Sequence, residues 1–190
     1  MESDKELINK AKEGDQNAFG ILVTRHINPV FNFVSRITGA GEDANDIVQD
    51  VFLKVWNNSK QYDENFTFKT WLYRIARNSA YDWLRKKKSL PFSRFDLEDG
   101  GNTIVDTLED NTTSIEQEFI NKESAAYMEK FIDDLPPHYK EIITLHYGED
   151  LSFGEIALLL NRSENTVRSQ HRRALIILKE KCTKNQSEIV

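Results

Sequence analysis

Apolar side chains recur along this chain at the three- and four-residue spacing of helices with one buried face. In the first half that spacing predicts helices over about 4–13, 16–38, 43–58 and 67–88. Asp15 is placed to cap the second, Pro29 to interrupt or kink it, and Gly39 to stop it. Further helices are expected near 114–133, 137–147, 152–160 and 164–181, with Pro136-Pro137 and Gly148 marking boundaries. No alternating pattern of useful length predicts a strand. The fold class is therefore all-α.

The periodicity lapses between the two halves. From Phe95 to Asn121 there are eight acids and no Lys or Arg, together with Gly100-Gly101 and many Asn and Thr. Such a segment reads as a flexible acidic linker. The expected organisation is a small helical domain over 1–90, a linker over 91–121, and a second helical domain with a short tail over 122–190. No internal repeat is evident.

Composition narrows the class. The 190 residues carry a net charge of -6, with 39% hydrophobic and 29% charged residues, which suits a soluble globular protein. No apolar run approaches the ~20 residues of a membrane span. The opening MESDKELINKAKEGD is too polar for a secretory signal. Cys182 is the single cysteine, so no internal disulfide framework exists and a reducing compartment is expected.

Charge is unevenly placed, and that points to chemistry. In LSFGEIALLLNRSENTVRSQHRRALIILKEK, Ser152 and Glu155 have capping-box spacing, Asn161-Arg162-Ser163 makes a turn, and Ser163 can cap a longer basic helix. This is the helix-turn-helix arrangement. Val167, His171, Ala174 and Leu178 should pack inward. Asn165, Arg168, Ser169 and Arg172 lie opposite, with Arg173 on the flank. Those are residue types that reach phosphates and base edges in a major groove.

In DANDIVQDVFLKVW (43–56) an apolar arc of Ala44, Ile47, Val48, Val51, Phe52 and Val55 opposes Asp43, Asp46, Gln49, Asp50 and Leu53. Three carboxylates on one face raise the thought of a metal site, but no E-x-x-H pair accompanies them. An acidic stripe containing an exposed leucine reads better as a docking surface for a basic partner, with simple solubility as the plain alternative.

Residues 68–88, FKTWLYRIARNSAYDWLRKKK, hold five aromatics, seven of the chain's 25 Lys and Arg, and one acid. Phe68, Leu72, Ile75, Ala76, Ser79 and Trp83 fall on one arc and are expected in the core. Tyr73, Arg74, Arg77, Asn78, Tyr81 and Arg85 fall on the other, with Trp71 at its edge. Rings interleaved with guanidinium groups can hold phosphates while unstacked bases rest on the aromatic faces.

Together DANDIVQDVFLKVW, FKTWLYRIARNSAYDWLRKKK and LPPHYKEIITLHYGEDLSFGEIALLLNRSENTVRSQHRRA resemble the sigma-70 family of bacterial RNA polymerase sigma factors, of the extracytoplasmic-function (ECF) type. The resemblance spans about 15–88 and 122–181. It implies two helical domains, regions 2 and 4, with no intrinsic catalysis, cofactor or metal. By position it implies that Asp46, Gln49, Asp50 and Leu53 bind the clamp helices of the polymerase β′ subunit. Asp50 stands where the family more often has Glu, one methylene longer. Asn65, Trp71, Tyr73, Arg74, Arg77, Asn78, Tyr81 and Arg85 would melt and recognise the −10 element, with the QYDENF loop (61–66) capturing a flipped base. Asn165, Arg168, Ser169, Arg172 and Arg173 would meet the −35 element, and residues 138–151 the β flap.

The implied partners are core RNA polymerase, promoter DNA as duplex and as melted strand, and an anti-sigma factor, with a cytoplasmic location. A helix-turn-helix regulator acting without polymerase is the competing reading for residues 152–178 alone. A nuclease using Asp43, Asp46 and Asp50 is weaker, because the four histidines are scattered and no nucleophile–base pair stands out.

Overall fold

The computed structural model describes residues 2–39, 41–88 and 130–187, and the side chains of these except Lys88 and residues 184–187. The acidic linker and the helix expected from 114 lie outside the described residues, apart from a closing helical turn at 130–133. Among the described residues every regular element is helical, so the fold is all-α.

Helix α1 (Asp4–Lys12) opens on a capping box: the Ser3 hydroxyl accepts from the Glu6 amide at 3.3 Å, and the Glu6 carboxylate accepts from the Ser3 amide at 2.7 Å. Helix α2 (Gln16–Thr38) is capped by Asp15, whose carboxylate accepts from the amides of Asn17 and Ala18. It ends where Gly39 takes the left-handed conformation, φ 66°.

Of the interruption or kink expected at Pro29, no interruption occurs; α2 runs through it as one helix. A proline removes one amide donor from the ladder. Here Val30, Phe33 and Val34 are fully buried just beyond it, and that packing holds the helix together.

Helix α3 (Asp43–Asn57) and a 3-10 turn (Ser59–Gln61) lead through a short loop to α4 (Phe68–Lys88). In the first bundle α2 packs on α1, α3 and α4, and α3 packs on α4. The second bundle comprises α5 (Pro137–Ile143), a π-helical turn (Thr144–Gly148), α6 (Phe153–Leu160) and α7 (Glu164–Ser187). Residues 144–147, expected to continue the α-helix, widen into that π turn, which His146 closes by its 2.8 Å contact to the Leu151 carbonyl.

The two bundles pack directly on each other. Helix α4 lies against α6, and α2 touches α5. One apolar cluster runs from Leu7, Phe33 and Leu72 in the first bundle to Ile142, Ile156 and Val167 in the second. A smaller cluster of Leu135, Ile143, Ala174, Leu175 and Leu178 holds α5 to α7.

Candidate polymerase and DNA interfaces

On α3, Ala44, Ile47, Val48, Val51, Phe52 and Val55 are all buried, as their spacing requires. Asp46, Gln49, Asp50 and Leu53 are exposed, Leu53 at 56%. Asp43 and Asp46 stand in the first turn, where carboxylates favour the helix dipole. Asp50 is tied to Lys54 at 2.6 Å, and Lys54 also donates to Ser79 of α4 at 2.9 Å.

Beside this stripe the structure shows an open groove of about 680 Å³ between α2 and α3, which sequence reasoning missed. Phe19, Val23, Ile27, Phe31 and Trp56 line it with Leu53. The available signal was that α2 is apolar on more than one face. Val30, Phe33 and Val34 fill the core, whereas Ile27 and Phe31 are left outside it.

The loop before α4 is fixed by the Tyr62 hydroxyl, which donates to the Phe66 carbonyl at 2.7 Å. Asp63 accepts from the Asn65 amide at 3.0 Å, so the exposed Asn65 side chain is presented on a defined turn. On α4, Phe68, Leu72, Ala76 and Ser79 are buried as expected, while Ile75 and Trp83 are half-buried.

The outer arc is less uniform. Asn78 and Arg85 are exposed, Arg85 pairing with Asp82. Trp71 is half-buried against the ring of Tyr62, with centroids 5.3 Å apart. Arg74, Arg77 and Tyr81 are half-buried beneath the second bundle, and the Arg77 guanidinium lies over the Tyr81 ring at 4.6 Å.

Tyr73 corrects the expectation of an outer position. It is 0% exposed, with its ring edge-on to Phe33 at 5.2 Å. Helix α4 is covered on two sides, so its buried arc widens to take in Tyr73, Ala80 and Leu84. Burial pushes the Tyr73 phenol far upward, and the nearby Glu149 carboxylate pushes it further, though the hydroxyl has no hydrogen bond of ordinary geometry among the described residues.

In the second bundle the helix-turn-helix is built as its sequence prescribes. Ser152 and Glu155 form the capping box, and Asn161 ends α6 in the left-handed conformation, φ 54°. The Ser163 hydroxyl accepts from the Thr166 amide at 3.0 Å, capping α7. Arg162 donates to the buried Gln170 at 2.8 Å and clamps the turn to α7. Val167, His171, Ala174 and Leu178 are buried. Asn165 and Arg168 are exposed, and Ser169, Arg172 and Arg173 are half-buried. Arg168 pairs with Glu164 and lies over the Phe153 ring at 4.8 Å.

His171 sits among His146, Tyr147 and Phe153, with Nε2 3.1 Å from the Tyr147 hydroxyl. Burial, with His146 and Arg168 nearby, pushes it down to about 4. It is a neutral packing residue.

Among the described residues no helix is long and apolar enough to cross a membrane, and no group of three or more His, Cys, Asp or Glu could hold a metal ion.

Comparison with known proteins agrees with these parts. Residues 22–90 match the family described as Sigma-70 region 2, and residues 125–178 match Sigma-70, region 4. The chain is 32% identical over 169 residues to the ECF RNA polymerase sigma factor SigW of Bacillus subtilis, covering 87% of this chain and 89% of that protein. It is 32% identical over 173 residues to the ECF RNA polymerase sigma-E factor of Escherichia coli K12, covering 90% of each. Its fold is similar to that of CnrH in complex with the cytosolic domain of CnrY, at TM-score 0.69 and 24% identity over 96% of this chain and 99% of that one. It is also similar to the sigma factor RpoE of Bartonella quintana in complex with the anti-sigma factor NepR, at TM-score 0.63 and 20% identity over 85% and 94%.

Proposed function

Since this chain belongs to the sigma-70 family of RNA polymerase sigma factors, as one of the ECF type, we propose that it directs core polymerase to particular promoters and opens them. The family consists of transcription initiation factors that are not catalytic. The observation that carries the reading is the separation of surfaces. An acidic and apolar face on α2 and α3 stands apart from the basic helix-turn-helix face of α7.

Asp46, Gln49, Asp50 and Leu53 attach the chain to the β′ clamp helices, with the α2–α3 groove supplying apolar contact. The β flap takes residues 138–151. Asn165, Arg168, Ser169, Arg172 and Arg173 hold the −35 duplex and fix register. Asn65, Trp71, Arg74, Arg77, Asn78, Tyr81 and Arg85 receive the melted −10 strand, where stacking and phosphate contacts offset the loss of pairing. Tyr73 supports that face from beneath. Binding energy alone drives melting, and the protein acts in the cytoplasm, where polymerase is. An anti-sigma factor, the kind of partner recorded for the Bartonella relative, is the proposed inhibitor.

Run-off transcription with core polymerase on genomic promoters tests this. Discrete transcripts should require both components. Transcripts that form equally well without the chain, or none from any promoter, contradict it.

A further inference from the structure

Helix α1 precedes residues 22–90, which match Sigma-70 region 2, yet its side chains reach the loop that stands before α4. Glu64, exposed at the tip of that loop, lies 3.2 Å from Lys5 Nζ and 3.6 Å from Lys12 Nζ. The two lysines stand two turns apart on one face of α1. Lys12 Nζ is also 4.9 Å from the centre of the Tyr62 ring, at the base of the loop. The bond from Lys5 holds the Glu64 carboxyl below its ordinary range, and the charges of both lysines add to this.

The frame behind these contacts is fixed. Leu7, Ile8 and Ala11 seat α1 in the core. Asp4 accepts from Arg25 and, at 2.7 Å, from the His26 ring, which pins α1 to α2. The His26 ring lies 5.4 Å from that of Phe68, the first residue of α4. Within the loop, the Tyr62–Phe66 and Asp63–Asn65 bonds set the shape of the turn. They do not set how its exposed tip leans against the bundle. Among the described residues, Glu64 is the tip side chain that reaches another helix. One exposed ion pair is weak, but two lysines and a ring contact converging on one short loop restrict it together.

We propose that Lys5 and Lys12 are positioning residues for base reading: by holding Glu64 they set the tilt of the 61–66 loop, and so where Asn65 meets the extruded base of the −10 strand. They act through Glu64, whose carboxylate occupies both ammonium groups and leaves them poor phosphate ligands. The inference rests on the reading of this loop and Asn65 as part of the −10 face. A hydrogen bond to a base edge weakens steeply when its geometry slips, whereas a phosphate contact carries no sequence information. Loosening the loop therefore lowers base preference at one position rather than affinity for every sequence.

The test uses holoenzyme, core polymerase with the full chain, on a promoter found by run-off in which each −10 position carries each of the four bases in turn. Asn65→Ala identifies the position that the loop reads. Glu64→Gln, and Lys5→Ala with Lys12→Ala, should each lower the preference there about fivefold and leave the other positions as in wild type. Adding Glu64→Gln to the lysine pair should lower it no further, because all three act through one carboxylate. Lys5→Arg with Lys12→Arg should keep the preference. If Lys12→Ala lowers the stability of the bundle in denaturant melts, Lys5→Ala, at an exposed position, carries the same test with about a twofold loss.

Lysine and Glu64 variants that keep a preference which Asn65→Ala abolishes overturn the positioning role and leave the loop as a reader of the −10 strand. Loss with Glu64→Gln but not with the lysine variants also overturns it, making Glu64 a base contact in its own right. So do lysine variants that weaken binding to all sequences equally while Glu64→Gln tightens it, since the lysines are then phosphate ligands. If Asn65→Ala changes no preference at any position, the loop's place on the −10 face is lost, and the positioning role with it.

Discussion

Arg77 and Glu141 meet at 2.7 Å across 64 positions of sequence, joining the helix expected to hold melted DNA to the first helix of the second bundle. Glu141 has its carboxyl pushed upward by burial, against the downward pull of Arg77, Arg162 and Tyr81. A charge-assisted bond of this kind contributes about 1.5–3 kcal/mol. Arg77→Ala should therefore part the bundles without unfolding either one. Small-angle scattering should show a larger radius with helical content unchanged.

Tyr73 and Tyr81 should separate experimentally. Tyr73→Ala removes a fully buried ring and should destabilise the first bundle by about 3–5 kcal/mol, the range for large aromatics. Tyr73→Phe discards only an unpaired buried hydroxyl and should be neutral or raise the melting temperature. Tyr81→Ala should leave polymerase binding intact and slow promoter opening. Thermal melts and opening kinetics on the three variants check this.

Leu53→Ala should change stability by less than about 0.5 kcal/mol, because the side chain is exposed. Its affinity for core polymerase should nonetheless fall about tenfold, as for an apolar anchor at the centre of an interface. Competition binding against wild type measures it. Equal affinity would remove Leu53 from the polymerase surface.

How much of this was legible in the sequence depends on what each residue answers to. The α3 arc and the helix-turn-helix faces follow from one helix burying one side, so Val51, Leu53, Val167 and Arg168 all fall where periodicity puts them. Tyr73 does not, because periodicity within α4 cannot reveal a second covering from α6. Pro29 stays within a continuous helix because tertiary packing outweighs one lost amide bond. The seam was illegible for the same reason: Glu141 reads as an ordinary charged residue until Arg77 is seen beside it.

His171 makes the second bundle sensitive to acid. Its folded value lies near 4 against about 6.5 unfolded, so the unfolded chain binds the extra proton first. Its contribution is fully present above about pH 6.5 and is lost as pH falls toward 4. The full loss is about 3 kcal/mol at 1.36 kcal/mol per unit. His146, Tyr147 and Arg168 face the ring, and none offers a carboxylate to receive its charge. Denaturant melts of wild type and His171→Phe across that range should show the slope in wild type and a shallower one in the variant.

Permanganate reactivity of thymines in the −10 segment tests the central claim most directly. With core polymerase and this chain together, those thymines should become reactive at a promoter found by run-off, and Arg77→Ala should suppress them. The account is contradicted if the promoter stays paired in the complete holoenzyme. It is equally contradicted if the thymines react as strongly with the chain alone.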